Sequence, residues 1–278
     1  MKELLFIFLI SLLPGLVSAT EIQVLPETIF QGDPISISLD IPVSEISSGT
    51  FLGKNLFFFT LHTNGSALVP TDLYKDLGTY PLTVTLKNGT SFTKNIEIQK
   101  RQVEKIVLEI PKQLGSNTPA NQTKVITKLI DENKILSKAY YRHMRPLWNT
   151  SFRNPLATST ITDTFGTVRQ TGAYSVSHKG TDFRAGIGTD VYPVNRGVVR
   201  FAGTLPTYGK AVIVDHGLGV TSLYLHLSKV NVIVGQLVLP HKLLGKSGDT
   251  GFSGGPHLHL SVKIDGVSID PVTFLKLY

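Results

Sequence analysis

The chain has 278 residues, 41% of them hydrophobic, no cysteine, and a formal net charge of +7. Without cysteine there is no disulfide scaffold, no thiolate metal ligand and no lipid-modified cysteine anchor. Folding must therefore rest on hydrophobic cores, and the length suffices for two. A basic balance would suit nucleic acid, but no recognition motif, basic run or aromatic stacking pattern accompanies it, which leaves anionic polymer or lipid head groups as partners.

The first elements set the compartment and an accessory module. Lys2 precedes the apolar run Leu4–Leu13, then Pro14-Gly15 and the small-residue ending Val17-Ser18-Ala19. This predicts a secretory signal peptide over residues 1–19, too short and too interrupted to span a bilayer, and hence an exported protein, periplasmic or at the cell surface. Residues 20–112 read as all-β. Ile35–Ile41 and Leu82–Leu86 alternate cleanly, and Lys87-Asn88-Gly89-Thr90 has hairpin chemistry leading into Phe92–Ile98. Gly32-Asp33-Pro34, Asn64-Gly65 and Asp76-Leu77-Gly78 punctuate the remainder, so an immunoglobulin-like β-sandwich is expected, with Phe57-Phe58-Phe59 in its core. His62 and His143 are read as surface or packing residues.

Residues 113–149 read as a helical linker. Thr118 is placed to cap a helix with Pro119 at its first position, and Val125, Ile126, Leu129, Leu136 and Tyr140 form one stripe running to about residue 142. Lys124, Lys128, Asp131, Lys134 and Lys138 fill the other side, and Pro146 closes the segment.

Residues 150–278 are expected to be mainly antiparallel β, with Val198–Ala202, Ala211–Asp215, Val220–His226 and Leu258–Ile264 as the strongest strands. Alternation in Ser222–His226 places Tyr224 and His226 on one face. His216 is expected in a turn beside the site, and His241 in a solvated loop. In His257-Leu258-His259-Leu260 the period of two puts both imidazoles on the face opposite Leu258, Leu260, Val262 and Ile264. His178 and Asp182 would stand about 13 Å apart in an extended chain, too far to share a metal, so a kink at Lys179-Gly180 is required. Two imidazoles and one carboxylate make a three-ligand set suited to Zn²⁺ with one position open, the pattern of a catalytic site.

From Phe165 to the end the chain resembles the lysostaphin-type (LytM-domain) zinc endopeptidases of bacterial cell walls. Its H-x-x-x-D is His178–Asp182 and its H-x-H is His257–His259. Tyr208-Gly209, Asp215-His216-Gly217, Tyr224–Ser228 and Gly251–Pro256 supply matching context. The departures, at Val191–Asn195 and Leu239-Pro240-His241, are structural positions. The resemblance implies that His178, Asp182 and His259 bind zinc, and that His226 and His257 position the attacking water and stabilise the tetrahedral intermediate. It implies hydrolysis of amide bonds in peptidoglycan stem peptides or cross-bridges. A monomer is expected, with a regulatory protein as a candidate partner. The competing expectations are a non-catalytic wall-binding activator of other hydrolases, and a zinc hydrolase acting on another substrate such as a glycine-rich secreted protein.

Overall fold

A computed structural model describes residues 21–110, 115, 117–140, 145–158 and 160–277. The expected signal peptide and His143 lie outside the described residues.

The N-terminal third contains two sheets. One has the order Ile22–Leu25, Pro34–Leu39, Asn64–Pro70, Phe59–Leu61; the other runs Ile29–Phe30, Ser91–Gln99, Gly78–Leu86, Ile46–Phe51, Lys54–Asn55. Alternating residues from both, including Ile35, Ile37, Leu39, Leu82, Val84 and Ile96, close one core. The hairpin at Lys87–Thr90 forms as its sequence suggests, with Gly89 N–H donating to Leu86 O at 3.0 Å.

Two expectations for this module need correcting. Asn64-Gly65 is not the reversal: both residues belong to a strand, and the chain turns one step earlier at His62-Thr63, where exposed His62 takes φ of 55°. Gly65 is wanted for clearance, because a Cβ there would come within 2.5 Å of Ile46 Cδ1. The phenylalanine run is divided as well. Phe58 packs against the N-terminal core, whereas Phe59 and Phe57 join the core of the C-terminal sheet.

The helix α1 spans Pro119–Ser137, with the Thr118 hydroxyl accepting from Asn121 N–H, and ends earlier than its apolar stripe suggested. Its lysines and Asp131 are exposed as expected, but its buried side includes the polar residues Gln122 and Glu132 beside Val125 and Leu136. Fully buried Leu136 packs on Leu205, Ala211, Ile213, Leu223 and Leu225, a contact of about 1.5–3 kcal/mol. The segment is therefore a layer laid across a sheet rather than a free connector.

That sheet is antiparallel and eight-stranded. Its order is Ile161–Asp163, Thr181–Arg184, His257–Ile264, Val220–Leu227, Gly209–Gly217, Gly197–Leu205, Leu237–Val238, with Val267–Ile269 also pairing His257–Ile264. Asp265-Gly266 makes the tight turn before Val267, both residues having positive φ. One face carries Phe183, Val214, Tyr224, Leu258, Leu260 and Val262 into a large core; the other lies under α1. A smaller sheet, Lys105–Val107 parallel to Val168–Thr171 and then Tyr174–Ser177, flanks the covered side.

Arg101 fastens the two ends of the chain. Its guanidinium donates to Asp33 in the N-terminal module and, at 3.0 Å, to Asp270 near the C-terminus, while Asp270 N–H donates to Gly32 O at 2.8 Å. Among the described residues, no helix is long and apolar enough to cross a membrane.

Candidate metal centre and active site

Strand pairing assembles the site. Thr181–Arg184 runs antiparallel to His257–Ile264 with Asp182 opposite His259, and Leu225 pairs with His259 from the other side. His178 reaches the same point because the chain bends at Lys179-Gly180 between two short strands. Gly180 permits this by clearance, since a Cβ there would lie 2.5 Å from both His259 Nε2 and Leu260 O.

His178 Nε2, Asp182 Oδ1 and His259 Nδ1 meet at 3.1, 3.0 and 2.8 Å from one another, all buried. Their outer partners fix the proton positions. His178 Nδ1 lies 2.9 Å from Thr164 O, a carbonyl that can only accept, so that nitrogen carries the hydrogen. The Ser261 hydroxyl donates to Lys179 O and so receives the N–H of His259 Nε2 at 2.8 Å. Asp182 Oδ2 accepts from Arg169 at 2.5 Å, leaving Oδ1 to the imidazoles. Three lone pairs therefore converge on one point with no hydrogen between them. Such a set requires a cation or a proton, and ligands on a tetrahedral zinc at about 2.0–2.1 Å would be spaced about 3.3 Å apart, close to what is seen. The donor set fits Zn²⁺.

Electrostatics agree. Burial alone would raise the Asp182 carboxyl, yet where a proton takes the cation's place among these atoms, hydrogen bonding with His178 and His259 holds it well below the usual carboxylate range. Burial pushes His259 down to about 4 despite Asp182 beside it. His178 is lowered by burial but raised overall by Asp163 and Asp182, so a proton can take the cation's place there.

Two further imidazoles face this cluster. The His226 ring centroid lies 4.9 Å from that of His257 and 6.0 Å from that of His259, and His257 Nε2 is 3.6 Å from Asp182 Oδ1. His226 Nδ1 donates to Thr250 O and His257 Nδ1 to Gly255 O, each at 2.8 Å, so both turn a bare Nε2 inward. Burial first, then the neighbouring His257 and His259, push the His226 pKa down to about 3. The loop supplying those carbonyls docks backbone to backbone on Thr207–Gly209, with Phe252 N–H donating to Thr207 O at 2.6 Å. A Cβ on Gly251 would strike Gly209 N at 2.4 Å.

His226 gets there by a route that alternation did not predict. Tyr224 faces the large core and Leu225 the site, so a regular strand would bury His226 away from the cluster. Instead the pairing register shifts between Lys210 and Val212, and His226 adopts φ of 60°, which swings its ring to the site face. His216 is likewise not a turn residue. It is fully buried at the end of a strand, with Nδ1 donating to Arg196 O and Nε2 2.8 Å from Ser222 Oγ. His241 is exposed, as expected.

Arg169 and Asp163 escaped the sequence reading. Arg169 donates to both Asp163 and Asp182; burial alone would raise the Asp163 carboxyl, but hydrogen bonds from His178 and Thr167 outweigh it and leave Asp163 low, at about 2. Nothing in the sequence around Arg169 marks it, because its role depends on a hairpin folding back onto the ligand strand. Glu132 of α1 was also missed: buried, it accepts the backbone N–H of Thr207 at 2.7 Å and of Tyr208 at 2.9 Å, and Tyr208 O in turn accepts His226 N–H at 3.1 Å. A lone Glu two turns beyond Val125 on the buried face was the available signal.

Residues 176–271 match the family model of peptidase family M23, so this part of the chain is an M23 (LytM-type) peptidase domain. The chain is 44% identical over 99 residues to peptidoglycan DD-endopeptidase ShyA of Vibrio cholerae, covering 36% of this chain and 22% of that one. It is 41% identical over 96 residues to the DD-carboxypeptidase/endopeptidase Mpg of Neisseria meningitidis, covering 34% and 22%. The matched part thus spans under a quarter of these relatives' length. A solved M23 structure from Pseudomonas aeruginosa superposes with a TM-score of 0.64 at 23% identity, covering 91% of this chain and 97% of that one, so the fold is shared over nearly the whole chain. M23 metallopeptidases are zinc enzymes.

Proposed function

We propose that the protein is an exported zinc metalloendopeptidase that hydrolyses amide bonds in the stem peptides or cross-bridges of peptidoglycan. The observation that carries this reading is the convergence of three lone pairs, from His178, Asp182 and His259, beside the bare Nε2 atoms of His226 and His257. The M23 domain and the printed activities of the relatives support the same substrate class.

His178 Nε2, Asp182 Oδ1 and His259 Nδ1 would hold the zinc, which supplies Lewis-acid polarisation of the scissile carbonyl and a water with its pKa lowered to about 7. Arg169 orients Asp182 through Oδ2, while Thr164 and Ser261 fix the ligand tautomers. His226 and His257 orient the water and accept its proton through Nε2. The imidazolium so formed stabilises the oxyanion and returns the proton to the leaving amine. No buried Glu faces the cluster among the described residues, which suits histidine for that work.

The division we propose is a signal peptide over 1–19, an immunoglobulin-like accessory sandwich over 20–112, a helical linker over 113–149 and the endopeptidase domain over 150–278. The protein would act as a monomer in the periplasm or at the cell surface, with the accessory module open to a regulatory protein partner. Digestion of purified sacculi by the zinc-loaded protein, followed by mass spectrometry of new amino termini, tests the reading. Peptide-bond cleavage that stops with chelator and returns with zinc is expected. Intact sacculi after incubation with fully loaded protein would sink it.

A further inference from the structure

A cavity of about 550 Å³ extends from His178, His226 and His259 along the sheet face beneath α1 as far as Lys263 and Ser268. Leu223 and Leu225 form part of its floor, and Val125 and Leu129 of α1 part of its roof. His259, Ser261 and Lys263 share one face of their strand, so Lys263 stands four residues, about 13 Å, from the ligand imidazole. A ligand clasped at the catalytic cluster would therefore run toward Lys263.

The chemistry at that far end is one-sided. Lys263 is half-buried, its Nζ donating to Ser268 Oγ at 2.6 Å and lying 5.3 Å from the Tyr140 ring centroid. An ammonium has three hydrogens to place, and taking it out of water without an anion is costly. Yet among the described residues no carboxylate comes within ion-pair distance of it. The same is true of Lys179, which also lines the cavity with its Nζ 4.6 Å from the Tyr74 ring centroid.

The other charged groups nearby are committed. Arg169 is paired with Asp163 and Asp182, and Asp215, one strand further across, is paired with Arg200. Asp72, the sole carboxylate lining the cavity among the described residues, accepts from Tyr74 N–H. Directly opposite Lys263 on the neighbouring strand, Thr221 Oγ1 is fully buried and has no hydrogen-bond partner. A cation without a carboxylate partner among the described residues thus stands at the end of a groove that begins at the catalytic cluster, with an unsatisfied buried hydroxyl opposite it on the neighbouring strand. Burial, with Lys179 nearby, pulls the Lys263 pKa down to about 8, the direction an ammonium takes where an anionic partner is missing.

We infer that Lys263 forms a subsite that binds a free carboxylate of the peptide substrate, a few residues from the bond that is cut. This rests on the peptidase reading above and adds that the substrate is acidic at that position. An extended peptide advances about 3.3–3.6 Å per residue, so the carboxylate is expected three to four residues from the scissile bond.

The test uses the zinc-loaded full mature chain and synthetic stem-type peptides that differ only in ending as a free acid or an amide, with the acid two, three or four residues from the cleaved bond. Wild type is expected to favour the acid by about tenfold or more in kcat/KM at the matching length, mostly through KM, since a charge-assisted hydrogen bond is worth at least that factor. K263M should bring the acid-to-amide ratio to about one, and K263R should keep most of it. The same pair of peptides titrated calorimetrically into H257A, with and without K263M, reads binding without turnover. A preference equal in wild type and K263M, in rate and in binding, overturns the subsite while leaving the peptidase reading intact. Lys263-dependent binding of the acid with no hydrolysis by wild type would overturn the peptidase reading and keep the subsite. Circular dichroism and zinc content of each variant separate these results from misfolding.

Discussion

Replacing Glu132 by Ala removes the acceptor for two backbone N–H groups, those of Thr207 and Tyr208, at a position only 3% exposed. Hydrogen bonds to a charged acceptor contribute about 1.5–3 kcal/mol each, and buried donors left without partners cost a similar amount. Allowing for some entry of water, E132A should lose about 3–5 kcal/mol. E132Q should lose roughly half of that, because an amide offers one accepting oxygen and turns N–H groups toward the second donor. Urea denaturation followed by far-UV circular dichroism reads the loss, and Ile135→Ala, on the exposed side of the same helix, serves as a control expected within about 0.5 kcal/mol of wild type. Because Tyr208 O holds His226 N–H, turnover should fall as well. A loss under about 1 kcal/mol for E132A would refute the view that α1 is an integral layer of the catalytic body. So would a fragment of residues 150–278 as stable and active as the full chain, since without α1 the sheet exposes Leu205, Ile213, Leu223 and Leu225.

Four other outcomes are expected. H178A, D182A and H259A should each lose zinc and activity together, whereas H226A and H257A should retain zinc while turnover drops by about 10²–10⁴; elemental analysis beside a sacculus-digestion assay checks both halves. Gly180→Ala should weaken zinc binding by displacing His259, read as a shifted midpoint in a chelator competition; unchanged affinity would count against the clearance argument. Zinc at a hundred times its Kd should stabilise the apo-protein by about 2.7 kcal/mol, visible as a rise in melting temperature that H259A abolishes. Burial lowers His216 to about 4 against 6.5 for the free side chain, so between those pH values the unfolded chain binds more protons and stability rises with pH. The contribution, about 3 kcal/mol, is intact above pH 6.5 and gone below pH 4. Unfolding measured across that window should show a shallower slope in H216N, and an identical slope would refute the assignment.

Much of the site was legible because its parts follow the simplest periodicities. The period of two in His257–Ile264 placed Leu258 and Leu260 inward and the imidazoles outward, as found, and the 13 Å problem between His178 and Asp182 demanded the bend that Gly180 makes. Mainly β architecture, the capped helix start and the hairpin at Lys87–Thr90 likewise followed from local rules. What was not legible depends on breaks in those rules or on partners far along the chain. A register shift reverses the facing of His226, and no alternation argument can see a bulge. Arg169 and Glu132 acquire their roles from elements that fold across the His257–Ile264 and Thr181–Arg184 strands and the Thr207–Tyr208 backbone, and burial of His216 comes from its place at the end of an interior strand, between Arg196 and Ser222, which the sequence alone reads as a turn.

The joint made by Arg101, with Asp33 on one side and Asp270 on the other, together with Phe57 and Phe59 set into the neighbouring core, leaves no slack between the two halves of the molecule. A tethered accessory module samples a sphere whose radius its linker sets; this one is held like the fixed jaw of a caliper. Any molecule seated on the N-terminal sheets would therefore stand at one constant separation and one angle from the His178, Asp182 and His259 cluster.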